Sequence, residues 1–211
     1  MLEKKSLTIV YLIRHGEIDN PKKVFYDREI PFLLSRDGRR QIKNLGRFFL
    51  KNSIFPQAIY SSPLLRTKQS AHLLSKILGN PKIIFDKKLL ERDSRNIAGR
   101  PLAIHKKPVD QYNNPLADYW VESPESQARR ISGFVRHIFK KNKNKIVFII
   151  SHGDPLAFGM YRLLHHKKAL PSILRLIGAK YLKKSQAWKI IFDSSGKILE
   201  HHLIKNSYIS K

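Results

Sequence analysis

Twice in this chain an uninterrupted apolar run stops on a histidine followed by a glycine. Leu7 to Ile13 (LTIVYLI) runs into Arg14-His15-Gly16-Glu17, and Ile146 to Ile150 (IVFII) runs into Ser151-His152-Gly153-Asp154. Both runs are rich in β-branched and aromatic residues and too short for a helix, so each reads as a strand buried on both faces. Strands of that kind belong to a mostly parallel sheet covered by helices. In such sheets ligands bind just beyond the carboxyl ends of the strands. Arg14, His15 and His152 therefore stand where chemistry is expected.

The segments between the runs fit the same plan. Glu17 to Leu34 is a polar loop punctuated by Pro21 and Pro31, long enough to cover something. Ser35 opens a helix with Asp37 in its first turn and Ile42, Leu45 and Phe49 on one face, ending near Asn52. Ala58 to Ser61 is a short second strand. Ser62 is the expected N-cap and Pro63 the first position of a helix reaching Leu78, with Leu64, Ala71, Leu74 and Leu78 on its apolar stripe. Arg66 then lies in the first helical turn, where free backbone N–H groups and the dipole favour anions. Ile83 to Phe85 is a third strand.

Leu89 to Asn114 has no sustained period, carries Glu91-Arg92-Asp93 with Gly99, Pro101 and Pro108, and reads as irregular; 89–122 is expected to cap the site. A helix restarts at Ser123-Pro124-Glu125, burying Ala128, Ile131, Val135 and Ile138. After the second run, Asp154 and Pro155 are the expected N-cap and first residue of another helix. Gln186 to Phe192 and Ile198 to Ile204, around Ser194-Ser195-Gly196, read as a terminal hairpin. The expectation is one domain over 1–211: three layers, α/β/α, with a mostly parallel sheet and an antiparallel edge from the hairpin.

Charge and composition narrow the function. With 41 Lys+Arg against 16 Asp+Glu the formal charge is +25, which raises the possibility of a nucleic-acid-binding protein. Yet the basic pairs recur along the whole length, from Lys22-Lys23 through Lys106-Lys107 to Lys183-Lys184, which argues against a dedicated nucleic-acid surface and for a field that draws in small phosphate esters. Zero cysteines exclude a disulfide framework and fit the reducing cytoplasm. The basic start at Lys4-Lys5 leads into too short an apolar run for a leader, and no run approaches the roughly 20 residues that span a bilayer. His165-His166 and His201-His202 are adjacent pairs of a kind usually exposed, so no metal is expected there.

The polar residues at strand ends and helix starts, Arg14, His15, Arg66 and His152, with Glu91 from the irregular segment, suit a dianion. A guanidinium can grip two phosphate oxygens at once and stays charged. A histidine can attack phosphorus and split one displacement into two, while a carboxyl group such as Glu91 can protonate the leaving alkoxide. The bland alternative for Glu91 is an ordinary ion pair with Arg92 or Lys88.

Four ordered motifs carry a resemblance. Arg14-His15-Gly16-Glu17, Ser61-Ser62-Pro63-Leu64-Leu65-Arg66 followed by Gln69-Ser70-Ala71, Leu90-Glu91-Arg92 and Ser151-His152-Gly153, supported by Pro31, Leu34-Ser35, Gly38 and Gln41, resemble the histidine phosphatase superfamily, also called phosphoglycerate mutase-like. The resemblance implies a metal-independent phosphomonoester hydrolase without cofactors that acts on a small phosphorylated metabolite. His15 would be the phosphorylated nucleophile, Arg14, Arg66 and His152 the phosphoryl holders, and Glu91 the proton donor. Departures are Ile18 in place of the family's Thr, Asn20 one residue early with Pro21 at its expected position, and Arg95 where a glycine is common. Arg129-Arg130 lack the surroundings of the mutase branch's carboxylate-binding pair, which favours a phosphatase over a phosphoglycerate mutase.

Overall fold

The computed structural model describes residues 7–94, 97–104, 112, 122–178 and 181–205. Lys4-Lys5, Arg95, Lys106-Lys107, Pro108, Asn114 and much of the 89–122 segment lie outside the described residues. The elements are β1 (Thr8–Arg14), α1 (Arg36–Lys51), β2 (Ala58–Ser61), α2 (Leu65–Ile77), β3 (Lys82–Phe85), α3 (Pro124–Lys141), β4 (Ile146–Ser151), α4 (Gly153–His165), α5 (Ile173–Ile177), β5 (Ala187–Phe192) and β6 (Ile198–Ile204). The strands form one sheet in the order β3-β2-β4-β1-β5-β6. β1, β2, β3 and β4 pair in parallel, whereas β5 is antiparallel to both β1 and β6. The expected mostly parallel sheet with a hairpin edge is what the chain forms.

Why Ile9 to Ile13 of β1 and Ile146 to Ile150 of β4 are so apolar is answered by the layers. Alternate side chains leave a strand on opposite faces. Val10 and Leu12, with Val147 and Ile149, pack under α3 and α4 against Ile131, Val135 and Leu156. Tyr11 and Ile13, with Phe148 and Ile150, pack under α1 and α2 against Ile42, Leu45 and Leu74. A charged residue at any of these eight positions would enter one of two cores, each fully buried aliphatic side chain contributing roughly 1.5–3 kcal/mol.

Parallel pairing sets the register that matters. Ile9 stands opposite Ile146 and Arg14 opposite Ser151, so both strands end level. His15 and His152 consequently emerge side by side.

Two expected caps are corrected. α2 begins at Leu65 with Leu64 as N-cap, because the Ser62 hydroxyl faces His152 and Thr67 Oγ1 bonds the Ser62 and Leu64 carbonyls instead. α4 begins at Gly153 with His152 as N-cap and Asp154 inside the first turn. The Asp154 carboxylate cannot cap because three side chains already occupy it, as described below. By contrast Ser35 and Ser123 cap α1 and α3 as their positions suggest, accepting from Gly38 N and Ser126 N.

Candidate active site

Each functional side chain is placed by backbone before any side-chain contact is made. His15 N donates to Ser151 O at 3.2 Å, and His15 O accepts from Ser185 N at 3.2 Å, so the residue is pinned between the ends of β4 and β5. The following turn is braced by α1: Gln41 Oε1 accepts from Glu17 N at 3.1 Å. Any Cβ on Gly38 would run into the Glu17 backbone, which is why a glycine opens that helix. Ser70 Oγ accepts from Gly16 N and donates to Arg66 O, while Gln69 Oε1 accepts from Leu34 N at 2.7 Å. The motif residues that do no chemistry thus hold the loop that does.

The ring of His15 is fully buried, and its Nδ1 lies 2.6 Å from Gly16 O. A carbonyl only accepts, so Nδ1 carries the proton and Nε2 keeps its lone pair. Nε2 is buried and has no hydrogen-bond partner among the described residues. Burial first, then the charges of Lys184, Arg66 and Arg14, hold this imidazole well below 6.5, so it is neutral at neutral pH. A neutral ring with a free Nε2 is the nucleophilic form.

The His152 ring lies 5.2 Å from that of His15, centroid to centroid. Its Nε2 is 2.9 Å from Ser62 Oγ and its Nδ1 accepts from Arg66 Nε at 3.3 Å, which makes Nε2–H the donor to the serine. Burial, and then Arg66, push its pKa well below 6.5 as well. Its 3.6 Å approach to Glu91 Oε2 is for that reason a polar contact and not an ion pair.

Arg66 is 1% exposed. Besides His152 it donates through Nη2 to Asp27 O at 2.9 Å, approaches Glu91 Oε2 at 3.9 Å, and its guanidinium lies 5.0 Å from the Tyr26 ring centre. Arg14 donates through Nη1 to Leu182 O at 2.8 Å and lies over Tyr181, leaving its buried Nε without a partner among the described residues. Gly153 makes room for it: a Cβ there would meet Arg14 Cζ at 2.8 Å. All five expected residues, Arg14, His15, Arg66, Glu91 and His152, converge.

Glu91 reaches the site differently. It follows β3 and a short 3₁₀ turn at Lys87–Leu89, and is held through its backbone and flank. Arg130 Nη1 donates to Lys88 O and Leu90 O, both at 2.8 Å, and Arg28 Nε to Glu91 O at 2.8 Å. Buried Glu122 joins the two arginines, accepting from Arg28 Nη2 and Arg130 Nη2 at 2.8 Å each. Arg130 is thereby spent on orientation, and Arg129 pairs with Glu125 on the surface. Asn20 is likewise occupied, closing its own turn with Val24.

Asp154 accepts from Arg92 Nη1 at 2.9 Å, Tyr112 Oη at 2.7 Å and Tyr181 Oη at 2.6 Å. Three donors aimed at one carboxylate make it an acceptor that fixes the cavity wall. Arg14, Tyr26, Glu91, Arg92, Asp154 and Tyr181 line a cavity of about 210 Å³. A larger one, about 670 Å³, lies away from His15 and His152, between α4 and the β5–β6 hairpin. His15, Glu91 and His152 offer ligand atoms within 4.8 Å of one another, the one such trio among the described residues. Arg14, Arg66 and Lys184 surround it, a field that favours an anion over a metal cation. His165-His166 and His201-His202 belong to no such group among the described residues.

Lys184 and Tyr26 are among the site residues not found from sequence. Lys184 Nζ donates to Tyr26 Oη at 2.6 Å inside this field, yet it passed as one more basic pair. Its signal was position, three residues before the start of the strand that pairs antiparallel with β1. Tyr26 lay in a loop whose path the sequence does not dictate.

The model of the histidine phosphatase superfamily (branch 1) matches residues 10–179. An uncharacterized phosphatase, PhoE, of Bacillus subtilis is 31% identical over 151 residues, covering 70% of this chain and 72% of that protein. A putative phosphoserine phosphatase 2 of Hydrogenobacter thermophilus is 27% identical over 201 residues, covering 92% of this chain and 89% of its own length. The crystal structure of a phosphoglycerate mutase from Bacillus anthracis superposes with a TM-score of 0.75 at 19% identity, over 98% of this chain and 97% of that one, a likeness of fold alone.

Proposed function

We propose, for a chain that belongs to the histidine phosphatase superfamily (branch 1), a metal-independent phosphomonoester hydrolase that works through a phosphohistidine at His15 on a small phosphorylated metabolite. The observation that carries the reading is the buried, neutral His15 ring with Nδ1 tied to Gly16 O and Nε2 unpartnered among the described residues, beside Arg14 and Arg66. Arg14, Arg66 and His152 hold the three nonbridging oxygens. His15 Nε2 then forms a bond to phosphorus as the ester P–O bond breaks. Glu91 gives its proton to the departing alkoxide, water attacks the phosphohistidine with Glu91 as base, and inorganic phosphate and neutral His15 are returned.

Spreading charge over equatorial oxygens is where such transfers gain most, and a buried cluster supplies it without reorganisation. A mutase would also need groups for the rest of its substrate, and Arg129 and Arg130 are committed to Glu125 and to Glu122. The 89–122 segment acts as a cap in this reading, with 1–211 as a single unit. No helix among the described residues is long and apolar enough to cross a membrane. The absence of cysteine fits a cytoplasmic setting. The test is turnover of para-nitrophenyl phosphate in EDTA, with acid-labile phosphate trapped on the wild-type chain and lost in His15→Ala. Turnover that survives His15→Ala, or none at all over a panel of phosphorylated metabolites, defeats the reading.

A further inference from the structure

We infer that Lys184 is a third cation of the phosphoryl site, and that on binding a dianionic phosphomonoester its ammonium moves from Tyr26 Oη to a nonbridging oxygen of the phosphoryl group. The inference rests on the function proposed above.

Backbone geometry brings Lys184 there. Arg14 N donates to Gln186 O at 3.0 Å and Ser185 N to His15 O, so the two residues after Lys184 are tied to the two catalytic residues at the end of β1. Ser185 is 1% exposed and adopts φ 60, left-handed backbone for a residue with a Cβ. Such a conformation is strained and persists where surrounding structure demands it. Here it turns the chain so that the neighbouring lysine side chain enters the pocket.

Its resting partner is suited to exchange. Tyr26 Oη is a neutral acceptor, since burial raises the phenol's pKa, and its ring also faces the Arg66 guanidinium. Arg66 and Lys184 thus flank one phenol, their charge centres 5.0 Å and 5.1 Å from its ring centre. A charge-assisted bond to a phosphoryl oxygen is stronger than one to a neutral hydroxyl, so a dianion draws the ammonium across. Among the described residues, the groups facing Lys184 include Arg14, Glu17, Tyr26, Arg66 and Glu91, together with the two histidines whose pKa it depresses. Burial first, and then Arg14, pull its own pKa well below 10.5. A dianion reverses that field, and an arginine in its place would stay charged throughout.

Inorganic phosphate binding by calorimetry, which needs no turnover, and kcat/KM for para-nitrophenyl phosphate are measured on wild type, Lys184→Met and Lys184→Arg. In Lys184→Met phosphate affinity falls about 10- to 100-fold and kcat/KM falls with it. Lys184→Arg restores most of both and carries the alkaline limb of phosphate binding at least about one pH unit higher. Phosphate affinity of a folded Lys184→Met within twofold of wild type overturns the inference. So does an alkaline limb unmoved in Lys184→Arg, the readout that decides if the methionine variant does not fold. Absence of His15-dependent turnover with phosphate binding lost in Lys184→Met would instead strike the hydrolase reading and leave this site standing.

Discussion

The phosphoryl end of the site and the wall that carries Glu91 are built by opposite means. Arg14, His15 and His152 stand on strand ends whose relative positions are set by parallel hydrogen bonds, and Arg66 on a helix packed into the core. Glu91 stands on irregular chain whose place depends on Arg28, Arg130 and Glu122. Ladder bonds over two hydrophobic cores leave little freedom, whereas side-chain ion pairs fail one partner at a time. The first region should therefore respond to substitution in the chemistry of its own residues, and the second at a distance.

That contrast can be broken experimentally. Arg66→Lys keeps the charge but loses the fork that reaches His152 and Asp27; kcat/KM should fall about 10³-fold for every phosphate ester. Glu91→Gln should lower kcat/KM, which reports the transfer to His15, about 10²-fold on alkyl phosphates and much less on para-nitrophenyl phosphate, whose leaving group needs no proton, while the lost base for phosphohistidine hydrolysis lowers kcat on both. Equal losses of kcat/KM on both would remove Glu91 as the proton donor. Glu122→Gln touches no substrate yet should reproduce that leaving-group dependence, with a loss of about tenfold and phosphate affinity unchanged. If phosphate affinity falls as well, the wall and the phosphoryl end are one unit and the contrast is wrong.

The smallest effect is on stability. His15 and His152 have folded-state pKa values depressed below 6.5, so in acid the unfolded chain binds protons that the folded chain refuses. Their contribution is fully present above about pH 6.5 and is lost as pH falls from there toward the folded values, with a slope of up to about 1.4 kcal/mol per pH unit for each ring. Thermal melting between pH 7 and pH 5 should show that fall, and saturating phosphate should flatten it. A flat profile without phosphate would mean that the folded rings take up protons as readily as the unfolded ones.

How much was legible in the sequence follows the same divide. The apolar runs stated both strands, and the residues that ended them, Arg14-His15 and His152, were visible because a charge or imidazole is costly directly after a buried strand. Arg66 was readable from helix position. Glu91 was found by motif, but its support was not, because Arg28, Glu122 and Arg130 meet only in three dimensions. The Asp154 and Ser62 caps were misassigned for the same reason: each has a competing partner from a remote segment, Tyr181 and Arg92 for one and His152 for the other. Local cap preferences hold where nothing else competes, as at Ser35 and Ser123.

The level ends of β1 and β4 also bear on how the protein comes into being. His15 and His152 are 137 positions apart (152 − 15), and their meeting depends on one parallel pairing of strands that are distant in sequence. Closing so long a loop is slow relative to forming the helices between. The pocket should therefore be among the last features acquired in refolding, so that recovery of phosphate binding reports closure of the sheet while helical circular dichroism reports earlier events.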